Sequence, residues 1–178
     1  LLYNDFADFE ITLALLLLRN KSRIRTFTVD DDIVPTIGTL KVCADMKVTD
    51  VDPKAVDFLL IPGGDPGRYS ERNDIQTLLR EIHEQGTPIA AICGGPEFLS
   101  QAGMLTGKRR THGHDPEYAA KVFTDCQILD EDVVTDGNII TARGQAYAEF
   151  AIAVYKHLGL FESEDEEMET LNFFKNIH

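Results

Sequence analysis

The stretch PIAAICGGPEFL, residues 88–99, decides the fold. PIAAI is a short apolar run with no polar alternation, as expected of a parallel strand covered on both faces. GPEFLSQAG (95–103) reads as a helix with Pro96 in its first turn, where a missing N–H is harmless. Cys93 sits between them, with Gly94 and Gly95 leaving room for an abrupt change of direction. A side chain at such a corner stands clear of the strand, as in the strained strand-to-helix turn of serine hydrolases.

Working outward, the same rhythm recurs. AVDFLLI (55–61) is another buried run, and it stops at the permissive loop PGGDPG (62–67). DIQTLLREIHEQG (74–86) sets Ile75, Leu78, Leu79 and Ile82 on one helical face and ends at Gly86. Towards the N-terminus, residues 1–3 and IRTFTV (24–29) read as strands, ADFEITLALLLLRN (7–20) as a helix with Asp8 as N-cap, and IVPTIGTLKVCAD (33–45) as a hairpin around Gly38. Towards the C-terminus, 109–123 reads as strand, loop and short helix. ILDEDVVTDGNIITA (128–142) follows as a hairpin turning at Asp136-Gly137, and AYAEFAIAVYKHLG (146–159) as a helix. Strand–helix alternation of this kind predicts a mostly parallel sheet with helices on both faces, an α/β three-layer sandwich with right-handed crossovers. Leu13, Leu16, Leu17 and Phe98 are assigned to its core.

The chain has 178 residues, 43% of them hydrophobic and 26% charged, enough for one core that buries roughly 70% of the unfolded surface. Residues 1–159 are read as one domain. Residues 160–178 are read as an acidic helical tail, with Met168, Leu171 and Phe173 or Phe174 along one side. The opening LLYNDF reads as the end of a strand, so an initiator Met and a residue or two are expected before it. No signal peptide is visible, and ITLALLLL (11–18) falls short of the roughly 20 residues that span a bilayer. A net charge of −13 argues against nucleic acid and anionic membranes as partners. Three cysteines (Cys43, Cys93 and Cys126) without CxxC spacing argue against a disulfide framework and a structural zinc site and make a reducing cytoplasm the default.

In ligand-binding α/β folds the site lies beyond the carboxyl ends of the strands, where LLIPGG and AAICGG both end. A helix N-terminus behind the sulfur favours the thiolate, which predicts a Cys93 pKa drawn from about 8.5 into the range of about 3.5–7.5. Cys43 and Cys126 lack flanking glycines and are read as structural. Arg143-Gly144 is read as completing a turn, and Asp65 and Arg68 as capping and solvating the glycine loop.

LLIPGGDPG, AAICGGPEFLSQAGMLTGKR and VVTDGNIITARGQAYAEFAIAVYKHLG, in this order and spacing, resemble the ThiJ/PfpI family of the class I glutamine amidotransferase-like superfamily. The likeness covers residues 1–159. It implies a flavodoxin-like fold with an elbow cysteine, commonly homodimeric, in a family of peptidases, glyoxalase- or deglycase-type enzymes, isonitrile hydratases and oxidation-sensing or chaperone-like stress-response proteins. Cys93 matches the family's nucleophile. Glu10, in DFEIT, matches the carboxylic acid that reaches the sulfur, and two adjacent anions would keep that acid protonated. Gly63, Gly64 and Gly94 match the main-chain donors of an oxyanion hole.

Relatives carry a His in a T-T-H-like run. Without a gap, LTGKRRTHGHD sets Gly113 in that place, between His112 and His114. A one-residue shift supplies either ring; otherwise no general base stands beside Cys93. The late His-x-Glu of a glutamine amidotransferase is missing from TARGQAYAEF. His112, His114, Asp115 and Glu117 do not fix a metal site by spacing.

The expected function is a Cys93-dependent hydrolase or glyoxalase/deglycase-like lyase on a small carbonyl or amide, with no cofactor. Cys93, Glu10, His112 and His114 are its candidate catalytic residues, and Gly63, Gly64 and Gly94 its oxyanion donors. The alternative is a non-catalytic redox sensor or chaperone-like protein in which Cys93 is oxidised. A degenerate binding module docking partners through the tail is a third reading.

Overall fold

A computed structural model describes residues 1–111 and 115–177. In chain order, α1 (Phe9–Leu18) is followed by β1 (Phe27–Thr28), β2 (Ile33–Pro35), β3 (Lys41–Cys43) and β4 (Met46–Lys47). Next come β5 (Leu59–Ile61), α2 (Gly67–Ser70), α3 (Asn73–Glu84), β6 (Ile89–Ile92), α4 (Pro96–Gln101) and β7 (Arg109–Thr111). The chain continues through α5 (Pro116–Val122), β8 (Gln127–Leu129), β9 (Val133–Asp136), β10 (Ile139–Ala142), α6 (Tyr147–His157) and α7 (Glu164–Lys175).

The central sheet runs β5–β6–β10–β9, parallel except for its β10–β9 edge. All four residues of β6 are buried, which is why its sequence shows no alternation. Two further two-stranded sheets, β1 with β4 and β7 with β8, are both parallel, and β7 lies against β9 and β10. Helices α1 and α6 pack on each other, while α3 turns Ile75, Leu78, Leu79 and Ile82 inward as its periodicity predicted.

Several local expectations are corrected. Residues 1–3 are buried but form only one rung, Leu2 opposite Thr28. The hairpin expected over 128–142 spans only β9 and β10, because Gln127–Leu129 pairs instead with β7. Asp8 has helical backbone angles and its side chain makes no cap bond. The helix α1 buries Ile11, Ala14 and Leu18 and leaves Leu16 exposed, which corrects its core assignment; Leu17 is half-buried and packs against the core, Leu13 is half-buried, and Phe98 is fully buried.

The helix α7 is capped by Ser163, whose Oγ accepts from the Glu166 N–H at 3.1 Å, and lies on α6. None of its described side chains is fully buried; Leu171 and Phe174 are half-covered, while Met168 and Phe173 face solvent. Ion pairs Lys156–Glu167 and Lys175–Glu149 fasten it. Among the described residues no helix is long and apolar enough to cross a membrane.

Candidate active site

The corner between β6 and α4 is sharp. Cys93 has φ 58°, left-handed backbone that a side-chain-bearing residue rarely adopts. Its N–H donates to Ala142 O on β10 at 2.9 Å, and the Gly95 N–H closes the turn onto Ile92 O at 2.8 Å. Neither following glycine tolerates a side chain. A Cβ on Gly94 would stand 2.5 Å from Gly64 O, and one on Gly95 2.9 Å from Ile61 O. The double glycine thus lets the elbow touch the loop after β5.

That loop is itself held. The buried Tyr3 hydroxyl donates to Gly63 O at 2.7 Å and to Pro62 O at 3.1 Å, and the Ala7 N–H donates to Gly63 O at 2.9 Å. Gly64 takes φ 116°, available to glycine without strain. The first residues of the chain therefore hold the PGG loop against the elbow.

Glu10 comes from the first turn of α1 and is 2% exposed. Its Oε2 accepts the Gly63 N–H at 2.9 Å, and its carboxyl is hydrogen-bonded to the Cys93 thiol. The amides of Gly64 and Gly94 favour the ionised sulfur. Gly63 was expected among the oxyanion donors; its N–H is instead committed to Glu10, leaving Gly64 and Gly94 as the pair at the sulfur.

The electrostatics differ from the expectation of a depressed thiol pKa. Burial first, then the charge of Glu10 and the hydrogen bond to it, push the Cys93 thiol up to about 11 against the opposing pull of the two amides. Burial likewise raises the Glu10 carboxyl, while its hydrogen bonds with the Cys93 thiol and the Gly63 N–H pull it down; the direction is the expected one, but its cause is burial rather than the adjacent sulfur. The helix behind the sulfur has only six residues, too short for its dipole to reverse this balance.

Sequence reasoning missed three contributors. A Cβ on Gly144 would lie 2.8 Å from Glu10 Oε1 and 3.0 Å from Cys93 Sγ, so this glycine, read as a turn residue, walls the site. Tyr3 was only part of a strand pattern. Glu97, in the first turn of α4, is 5% exposed and accepts from Ser70 Oγ at 2.7 Å and from the Tyr118 hydroxyl, tying α2 and α5 to the elbow helix. Tyrosine and glutamate spaced along separate elements leave no local signal of this convergence.

Arg143 pairs with Asp130 and Asp132, fixing the approach to Gly144. Cys43 is exposed, and Cys126 is partly buried. His112 and His114 lie outside the described residues. Among the described residues no group of three His, Cys, Asp or Glu side chains is arranged to hold a metal ion; Asp115 caps α5, accepting from the Glu117 and Tyr118 amides at 3.0 and 3.2 Å.

The model of the DJ-1/PfpI family matches residues 1–157. An uncharacterized protease, YoaZ of Bacillus subtilis, is 27% identical over 146 residues, covering 78% of this chain and 68% of its own. Deglycase PfpI of Pyrococcus furiosus is 28% identical over 149 residues, covering 82% of this chain and 89% of its own. The crystal structure of the DJ-1 superfamily protein Atu0886 from Agrobacterium tumefaciens superposes with a TM-score of 0.85 at 29% identity, covering 99% of this chain and 96% of that one.

Proposed function

Because the chain belongs to the DJ-1/PfpI family, we propose that it is a cysteine-dependent enzyme, a hydrolase or a deglycase-like lyase, acting on a small carbonyl or amide. The observation that carries this reading is the Cys93 sulfur at a left-handed corner, between the Glu10 carboxyl and the amides of Gly64 and Gly94. Relatives named as a deglycase and as a protease support the same class.

The raised pKa values fit a pair that holds one proton between two acidic atoms. Removing both protons would set two anions side by side in a partly dry site. Moving the remaining proton from Sγ to Glu10 makes a thiolate without creating net charge, so Glu10 serves as the internal base. The thiolate then attacks the electrophilic carbon: the S–C bond forms and the carbonyl π electrons move to oxygen. Gly64 and Gly94 N–H groups stabilise that oxygen, and Glu10 returns its proton to the oxygen or the leaving group. By the family likeness alone, His112 or His114 is assigned a proton-relay role. The protein is read as a cytoplasmic homodimer acting on a small molecule.

A panel of small oxoaldehydes, their amine adducts and short amides tests the proposal. Whichever substrate turns over should lose at least about a hundredfold in kcat/KM in Cys93→Ser. Full activity in that variant would end the proposal.

A further inference from the structure

Arg110, at the centre of β7, is 1% exposed. Its guanidinium lies 3.5 Å from the centroid of the Phe123 ring, and Nη1 donates to Thr111 O at 2.8 Å. Nε donates to Cys126 Sγ at 3.3 Å, while Nη2 has no hydrogen-bond partner among the described residues.

Nε and Nη2 form one edge of the planar fork, the edge that grips a two-oxygen anion through parallel N–H bonds. Arg72 uses that edge in this protein, with Nε at 3.1 Å and Nη2 at 2.7 Å from the two oxygens of Asp74. At Arg110 a sulfur engages half of the edge and the other half makes no bond to a described residue. A buried cation so arranged lacks an anion with one more acceptor atom. Cys126 is not sealed in: it lines a cleft of about 310 Å³ with Ser100, Lys121, Phe123 and Asp125.

The geometry points to Cys126 as a modification site, a thiol oxidised by small hydroperoxides whose oxidised anion is held by the Nε–Nη2 edge of Arg110. This departs from the structural role that the sequence suggested for Cys126. The Cys126 thiolate attacks one peroxide oxygen, forming the S–O bond and breaking the O–O bond. Sulfur gives up two electrons, and the departing hydroxide takes the sulfenic proton and leaves as water. The sulfenate carries the single negative charge the thiolate had, now reaching Nη2 through its oxygen. A second peroxide gives the sulfinate, whose two oxygens complete the pattern seen at Asp74.

The test uses full-length Cys93→Ser protein, stoichiometric hydrogen peroxide, a sulfenate trap and peptide mass mapping. Cys126 should gain oxygen about tenfold faster than Cys43, although Cys43 is the exposed thiol. The preference should vanish in urea, and it should fall in Arg110→Gln and Arg110→Lys. If those variants do not fold, the folded-against-urea comparison decides. Equal or greater oxidation at Cys43 in the folded protein would overturn the proposal. So would a preference that survives in urea or in folded Arg110→Gln.

Discussion

At the scale of single residues, the site depends on glycines that keep methyl groups away from two acidic atoms. A Gly144 side chain would wedge between Glu10 and Cys93. Gly144→Ala should therefore cut kcat/KM at least about tenfold while costing only about 1–3 kcal/mol of stability. Denaturant unfolding beside kinetics checks this. Gly63→Ala, whose Cβ would fall 2.5 Å from the Cys93 Cβ and 3.0 Å from Ile92 O, should cost more, because a strand carbonyl cannot yield.

Titration adds a second residue-scale prediction. A thiol whose pKa rises to about 11 on folding binds its proton more tightly folded than unfolded. Between the unfolded value of about 8.5 and that raised value, the unfolded chain loses the proton first, so stability falls as pH rises. Melting temperatures should drop across this window, and the drop should shrink in Cys93→Ser.

Cys93 was legible because two glycines and a change from strand to helix pattern frame it. Glu10 was not: in isolation it is an acid in a helix's first turn, and only the family likeness marked it. The thiol's ionisation was misjudged because local sequence displays the helix terminus but not the buried carboxyl that arrives from 83 positions away.

At the scale of elements, the legible parts were those whose burial is one-sided or complete. Helix α3 has a single apolar stripe and β6 a continuous apolar run, so pattern and packing agree. Helix α1 is apolar around its whole circumference in ITLALLLL, and periodicity could not choose between Leu16 and Ala14. The β7–β8 pairing was missed because Asp130 and Asp132, turned toward Arg143, divide what reads as one long hairpin. The elbow helix α4 is anchored by Phe98, fully buried with its ring centroid 5.2 Å from that of Tyr3. Phe98→Ala should cost about 3–5 kcal/mol, readable by denaturant unfolding, because the cavity opens directly beneath the elbow.

At the scale of the whole molecule, the site is assembled from the chain's first ten residues, the loop after β5, the elbow and the turn before α6. These segments converge at the carboxyl ends of parallel strands, the place where this architecture holds ligands. The acidic α7 lies apart from them, held to α6 by exposed ion pairs and half-buried side chains. Such pairs contribute about 0–1 kcal/mol each. Deleting residues 162–178 should thus leave the pH profile of Cys93 alkylation unchanged, with only a modest loss in melting temperature. A changed profile would tie the tail to the site.

The most direct measurement is the iodoacetamide alkylation rate of Cys93 against pH, resolved by peptide mass, in the wild type and Glu10→Gln. A shared proton predicts a wild-type profile with a plateau through neutral pH and a second rise near 11. Removing the carboxylate charge in Glu10→Gln should collapse this to one step at lower pH. A single wild-type step at the ordinary thiol value of about 8.5, unmoved by Glu10→Gln, would contradict the account.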